Sequence, residues 1–320
     1  MKVLVTGATG FVGHALCGFL NARGHGVVPV ARRAVSLPGA VVVGNISGAT
    51  DWTAALSGCD AVVHLAARVH VMEDAAQNSL ALYRQTNTDA TLNLARQAAQ
   101  AGVKRFVFIS TIKVNGEGRD APYRETDVPA PEDAYAISKW EAEQGLADIA
   151  QQTGLEIVVL RPPLVYGPGV GANFLRLIQT VERGWPLPLG AIHNRRSLLY
   201  LGNFVDAIRV CIEHPVAVGQ TFLLADGEPV STPALLRALG DALHRPPYLL
   251  PVPTSLLRLV GWVTGTRGSV SRLIGSLYAD SQTIRTRLGW VPPHSMQEGL
   301  AVTVAAFLQD RVSARSPVKS

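Results

Sequence analysis

The chain is poor in cysteine, methionine and aromatic residues: three cysteines, three methionines and 6% Phe, Trp and Tyr in 320 residues. Cys17, Cys59 and Cys211 lie far apart with no paired spacing, which excludes a disulfide framework and points to reduced thiols in a cytoplasmic protein. No His, Cys or carboxylate cluster has the spacing of metal ligands, so no metal is expected. Long apolar runs are missing as well. The most apolar late segment, Thr254 to Gly265, is too short to cross a bilayer and contains Arg258. The first strand begins at Lys2 and leaves no room for a signal peptide, so no membrane partner is expected. Charged residues make up a modest 17%, hydrophobic residues 48%, and neither repeats nor low-complexity tracts occur, which excludes a disordered chain. The length suits a large domain with a smaller second lobe.

What is present is concentrated in the first thirteen residues. Val3-Leu4-Val5 has the length and β-branched content of a buried strand, and it runs into Thr6-Gly7-Ala8-Thr9-Gly10-Phe11-Val12-Gly13. An apolar helical pattern follows through Leu16, Phe19 and Leu20. Strand, glycine turn and helix in this order form the first βα unit of a dinucleotide-binding fold. Gly7 permits the tight turn, Gly10 lets backbone approach a pyrophosphate, and Gly13 lets the helix pack close. The helix N-terminus then offers free N–H groups to phosphate. The second strand, Val27 to Ala31, ends in Arg32-Arg33, where an NAD site usually carries an acidic residue for the ribose. Two arginines suit a 2′-phosphate, which favours NADP(H) over NAD(H).

Further strands are expected at Val41–Gly44, Ala61–Ala67, Lys104–Ile109 and Ile157–Leu160, with a long helical pattern from Asn78 to Ala101. Asn45-Ile46 falls where an adenine ring would pass, and the small residues of Leu65-Ala66-Ala67 let backbone run beneath a cofactor. His64 reads as a packed strand histidine. This alternation implies an α/β chain with a Rossmann-type doubly wound parallel sheet and a smaller, mixed C-terminal substrate lobe. The expected division is residues 1–166 for the NAD(P)-binding domain, 167–312 mainly for the lobe, and 313–320 for a polar tail. Val205–Glu213 and Gly219–Leu224 are expected to return to the sheet. Ligands in such sheets sit off the carboxyl ends of the strands, which places Gly7–Gly13, Arg32, Ala66 and Thr111 along one rim.

A helix starting near Asp133 carries Tyr135-x-x-x-Lys139, one turn apart on one face. Together with the Thr-Gly-x-x-Gly-x-x-Gly turn, Ser110-Thr111 after a strand, and Arg161-Pro-Pro-Leu-Val-Tyr-Gly-Pro-Gly169, it resembles the extended short-chain dehydrogenase/reductase family. That family includes NAD-dependent epimerases and dehydratases of nucleotide sugars. Ala66-Ala-Arg-Val-His-Val-Met72 with Lys113-Val-Asn-Gly116 is most similar to bacterial UDP-4-keto-6-deoxy-N-acetylhexosamine 4-reductases and UDP-hexose 4-epimerases of surface-polysaccharide synthesis. The resemblance implies Thr111, Tyr135 and Lys139 as catalytic residues. It adds Ser110, Tyr135, Lys139 and Pro162 to a cofactor set of Gly7, Gly10, Phe11, Val12, Gly13, Arg32, Arg33, Asn45, Ile46, Leu65, Ala66 and Ala67. For a UDP-sugar it implies Arg68, Thr111, Lys113, Asn173, Arg196 and Arg272, with Arg195 a substitute for Arg196. Leu164 departs from the family, many members having Asn there. A homodimer through the helices around 78–101 and 135–153 is also implied.

The chemistry stands without the family. Moving hydride at a sugar carbinol or ketone requires a proton acceptor or donor on its oxygen, and Tyr135 serves either way once its pKa of about 10 falls. At roughly 6 Å and an effective dielectric of about 20, the Lys139 charge stabilises a phenolate by about 3 kcal/mol, or about two pKa units. The 4,6-dehydratases of the family carry Asp-Glu directly after the Thr111 position; here Ile112 and Lys113 stand there, which argues against dehydration. Lys113 either contacts a polar sugar substituent or sits on a solvated turn. The net charge of +5 suits a dinucleotide and a nucleotide sugar as well as it suits nucleic acid, and no aromatic-basic stacking surface stands out. The expected activity is therefore NAD(P)H-dependent reduction of a UDP-4-keto-hexose, with a UDP-hexose 4-epimerase holding NAD as the alternative. A non-catalytic dinucleotide sensor or RNA-binding relative is disfavoured because Tyr135 and Lys139 are both present.

Overall fold

The computed structural model describes residues 1–69 and 79–315. His70–Met72 of the run from Ala66, Asn78, and 316–320 of the expected tail lie outside the described residues. The nucleotide-binding half runs β1 (Lys2–Thr6), α1 (Phe11–Asn21), β2 (Gly26–Ala31), β3 (Val41–Val42), α2 (Thr53–Leu56) and β4 (Ala61–His64). It continues through α3 (Ser79–Tyr83), a π-helical stretch Arg84–Asp89, α4 (Ala90–Gln100), β5 (Arg105–Ile109) and a 3₁₀ turn Ile112–Val114. Then come α5 (Ala134–Thr153) and β6 (Glu156–Arg161). The remainder is β7 (Leu164–Tyr166), α6 (Ala172–Arg183), β8 (Leu198–Tyr200), α7 (Leu201–Glu213), β9 (Thr221–Leu223) and α8 (Thr232–Ala242). Four more helices complete it: α9 (Thr254–Val263), α10 (Arg267–Ile274), α11 (Gln282–Leu288) and α12 (Met296–Arg315).

Seven strands form one parallel sheet in the order β3-β2-β1-β4-β5-β6-β9, and β7 pairs with β8 separately. The expected doubly wound sheet is present. Val3, Leu4 and Val5 are fully buried because β1 is central, with Val3 in register with Val27 on one side and Ala61 on the other. The chain order reverses at β1, so the carboxyl ends of β1 and β4 open the crevice where such folds bind ligands. β4 stops at His64, short of the expected Ala67, because the Leu65 and Ala66 amides donate to Thr6 Oγ1 at 3.2 and 3.1 Å.

One face of the sheet packs on α1 and α7 through Leu16, Leu20, Phe204, Ile208 and Ile212. The other packs on α4 and α5 through Leu94, Ala98, Leu146 and Ile149, with Trp52 beside α2. A further buried cluster gathers around Phe174, Ile178, Leu236, Leu239 and Leu300. α7 covers the sheet and β9 pairs with β6. Ile284, Leu288 and Trp290 of the late chain join the same core, and α12 carries helix through Arg315 into the expected tail. Cys17 and Cys211 are buried, which pushes their thiols up to about 11 and about 12 and keeps them unreactive.

Trp290 is 3% exposed and donates from Nε1 to Asp206 Oδ2 at 3.1 Å, tying the late chain to α7. Trp290→Ala should therefore cost about 3–5 kcal/mol of unfolding free energy. Urea titration measures this, and a loss within experimental error would show that the late segment is not part of the main core.

Candidate active site

The glycine turn is fixed by close contact. Gly7 has φ +68°, and a Cβ there would stand 2.9 Å from the Ala66 amide nitrogen. At Gly13 a Cβ would fall 2.1 Å from the Gly7 carbonyl oxygen, and at Gly10 3.2 Å from the same atom. Gly10 caps α1 without a side chain, which leaves the first-turn amides of Phe11 and Val12 to an outside acceptor. These bare backbones are a cradle shaped for a phosphate group, and Leu65–Arg68 run half-buried past them.

Asp133 caps α5, its Oδ1 accepting from the Ala136 amide at 2.7 Å, and so sets the helix that carries Tyr135 and Lys139. Tyr135 is half-buried, meets the Tyr83 ring edge-on at 6.3 Å, and its hydroxyl has no hydrogen-bond partner among the described residues. Lys139 is 1% exposed, with Nζ 4.0 Å from the centre of the Phe108 ring. Burial pushes this ammonium down to about 7, partly opposed by Glu143. Burial raises the Tyr135 phenol, helped by Asp133 and Tyr83. This corrects the expected lowering of Tyr135: the cost of removing the phenolate from water outweighs the attraction of the neighbouring cation.

Beneath the pair lies a buried clamp. Glu143, one turn beyond Lys139, accepts from Arg161 Nη2 at 2.5 Å and Nε at 3.1 Å, and Ser110 donates to the same carboxylate. Arg161 Nη1 also donates to Asn115 Oδ1 at 2.9 Å. Ser110, expected at the cofactor, thus turns its hydroxyl into the clamp, while buried Pro162 accepts from the Ile112 amide at 3.1 Å. Thr111 caps the 3₁₀ turn, its Oγ1 accepting from the Lys113 amide. Lys113 is neither a solvated turn residue nor a free hand toward a sugar. Its Nζ lies 2.7 Å from both Glu117 Oε1 and Asp133 Oδ2. Burial opposes this charge, but the bonds and charges of the two carboxylates hold its pKa above the ordinary value.

A second polar chain was not anticipated. Thr91 Oγ1 donates to the Asn87 carbonyl at 2.7 Å, so at 2.9 Å it must accept from His64 Nε2. That fixes His64 as the neutral Nε2–H form, with Nδ1 accepting from Thr6 Oγ1 at 2.8 Å. Asn87, in the π-helical stretch, then holds the Arg68 backbone from both sides and donates to Ser138 Oγ at 3.0 Å. Ser138 donates to the Tyr135 carbonyl at 2.7 Å. The glycine turn, the end of β4 and the helix of Tyr135 are thereby joined. The only sequence signal was the spacing that puts Glu143 on the face of Lys139; nothing marked Asn87.

Of the residues expected to meet substrate, Asn173 is exposed in the first turn of α6, beside Ala172 at φ +50°. Arg196 is half-buried and donates from Nη1 to the carbonyls of Arg272 and Gly275 at 2.6 and 3.2 Å. Arg272 contributes that carbonyl and leaves its side chain exposed, and Arg195 lies over the Tyr278 ring at 4.6 Å. Arg68 lies over the Tyr83 ring at 5.8 Å. Arg32, Arg33, Asn45 and Leu164 are exposed and Ile46 is half-buried.

A model of the NAD dependent epimerase/dehydratase family matches residues 3–225. The chain belongs to that family. It is 46% identical over 314 residues to UDP-glucose 4-epimerase of Vibrio cholerae, covering 96% of each chain. It is 26% identical to N-acetyl-alpha-D-glucosaminyl-diphospho-ditrans,octacis-undecaprenol 4-epimerase of Escherichia coli O157:H7, covering 95% of this chain and 94% of that one. Among solved structures, MoeE5 in complex with UDP-glucuronic acid and NAD superposes with a TM-score of 0.78 at 26% identity, covering 97% of this chain and all of the other. The cofactor in that neighbour is NAD, so the expected preference for NADP(H) finds no support in this family comparison. The cradle fits a dinucleotide: Gly7 and Gly13 leave no room for a Cβ, a Cβ at Gly10 would be crowded, and the helix has no capping side chain.

His64 is fully buried, and burial, then the Lys139 charge, lowers it from 6.5 to about 3. The unfolded chain binds that proton at 6.5 and the folded family member only near 3. Folding stability should fall with pH below 6.5, by up to about 1.4 kcal/mol per unit from this group. Urea midpoints at pH 5, 6 and 7 should fall more steeply in the wild type than in His64→Gln. Parallel slopes would contradict the neutral, buried assignment.

Proposed function

We propose that this family member is a UDP-hexose 4-epimerase that retains NAD. The reading is carried by the turn after Thr111, where Ile112 is 2% exposed and Lys113 is committed to Glu117 and Asp133. Eliminating water across two sugar carbons needs an acid and a base there, and this turn supplies neither. Hydride exchange at one carbon needs one proton moved, which Tyr135 with Lys139 can do. The 46% identity to a UDP-glucose 4-epimerase over 96% of both chains supports epimerisation. The second reading, reduction of a UDP-4-keto-hexose with NADPH, rests on exposed Arg32-Arg33 following β2.

Gly7, Gly10 and Gly13 with the Phe11 and Val12 amides would hold the dinucleotide pyrophosphate, beside Leu65–Ala67. The bound cofactor supplies the hydride acceptor and donor. Tyr135 Oη takes the proton of the sugar C4 hydroxyl and returns it to the same oxygen when the ketone is reduced. Thr111 Oγ1 orients that oxygen, and Lys139 balances the phenolate charge. Asn173 and Arg196 take the diphosphate, with Arg196 steadied by two main-chain carbonyls. A homodimer through the helices of 79–101 (α3 to α4) and α5 belongs to the same reading, supported by Leu82 of α3 at 39% exposure and half-buried Trp140 of α5.

Purified protein should interconvert UDP-glucose and UDP-galactose with no added cofactor. Tyr135→Phe should lower turnover by about 10²–10⁴-fold while circular dichroism stays unchanged. Absence of epimerisation together with stoichiometric NADPH consumption on a UDP-4-keto-hexose would replace this reading by the second.

A further inference from the structure

Helix α9 carries its apolar stripe on the outside. Leu256, Leu259, Val260 and Val263 recur at i, i+3, i+4 and i+7, the spacing that normally faces a core. Here they are 49%, 56%, 51% and 70% exposed, and Trp262 beside them is 70% exposed. The inward edge is Gly261, where a Cβ would stand 2.8 Å from Val270 Cγ2 of α10. The two helices are thus held by a glycine seam that leaves the stripe unpartnered among the described residues. An exposed stripe of this size marks an interaction surface.

The border of the stripe is basic. Arg258 and Arg267 line a cleft of about 450 Å³ between α9 and α10, with Leu259, Trp262, Val270 and Ser271. Arg258, Arg267 and Arg272 are exposed, and none has an ion-pair partner among the described residues. From Ala242 to Ala279 the sequence contains no Asp or Glu. A two-fold contact with a second copy would set arginine against arginine, which is costly. An anionic bilayer meets both halves of the surface. Its acyl boundary takes the stripe, its headgroup phosphates take the arginines, and its interface is where a tryptophan settles.

We propose that α9, backed by α10, seats the protein on an anionic lipid bilayer, with α9 lying in the plane of the interface. The expectation of no membrane partner rested on spanning length; a ten-residue helix fails that criterion and still lies in the interface. Because Arg196 donates to the carbonyls of Arg272 and Gly275 at the end of α10, the anchor is tied to the substrate side of the site. The proposal does not depend on which sugar reaction the site performs.

Co-sedimentation of the full chain with phosphatidylglycerol–phosphatidylethanolamine vesicles tests it, with pure phosphatidylcholine as the control. The protein should partition onto the anionic vesicles and be released by high salt. Binding should shift tryptophan emission to the blue, a shift absent in Trp262→Phe. Leu259→Glu with Val263→Glu should weaken partitioning at least about tenfold while leaving the thermal midpoint in place, and Arg258→Gln with Arg267→Gln should abolish the preference for anionic vesicles. No partitioning onto either vesicle, or partitioning untouched by both pairs of substitutions, would overturn the proposal. So would a wild-type oligomer that the double glutamate variant dissociates, since that assigns the stripe to a second copy.

Discussion

The burial of one ammonium group organises the site. Lys139 sits at 1% exposure over the Phe108 ring, a position that costs stability in its charged form. The surrounding structure holds it there. Glu143 is locked by Arg161 and Ser110 one turn away, and Asp133 caps the same helix while paired to Lys113. The result is a lysine pushed down to about 7 beside a phenol pushed up. The two stand one helical turn apart on one face of α5, and we propose that they share one proton. Neutral phenol with amine and phenolate with ammonium contain the same number of protons, so on that proposal loss of one proton near neutrality opens a route to the phenolate although the phenol alone is made less acidic. Burial therefore tunes the pair without needing to acidify Tyr135 itself.

The rest of the molecule keeps this pair in register with the glycine cradle. The central strand β1 delivers Thr6 to His64, and His64 is kept neutral so that its two nitrogens can bridge Thr6 and Thr91. Through Asn87 and Ser138 that chain reaches the backbone of Tyr135. The π-helical stretch at Arg84–Asp89 places Asn87 and Thr88 inward against α5. A local irregularity at a functional position fits its use elsewhere in proteins. Deleting any one link would leave a buried polar group without a partner, so the network specifies geometry as much as it adds stability.

Much of this was legible in the sequence because it is local. The strand, glycine turn and helix from Lys2 to Asn21, the Asp133 cap and the 135–139 spacing all depend on near neighbours. Long-range partners were not legible. Arg161 meets Glu143 across 18 residues, and Asn87 meets Ser138 across 51, with no periodicity to announce either. The sign of the Tyr135 shift was missed because desolvation depends on burial, which only the packed structure reveals. The outward stripe of α9 was invisible for the same reason: its spacing is that of an ordinary core-facing helix.

The pH dependence of kcat/KM for the proposed UDP-glucose epimerisation, compared between wild type and Lys139→Met, tests the shared-proton account most directly. In the wild type the rate constant should rise with pH through an apparent pKa near 7 and then level off, as the pair loses its first proton. In Lys139→Met that ionisation should vanish and the rise should move upward, toward the raised phenol. A wild-type profile that is flat between pH 6 and 8, or one that Lys139→Met leaves in place, would contradict the account.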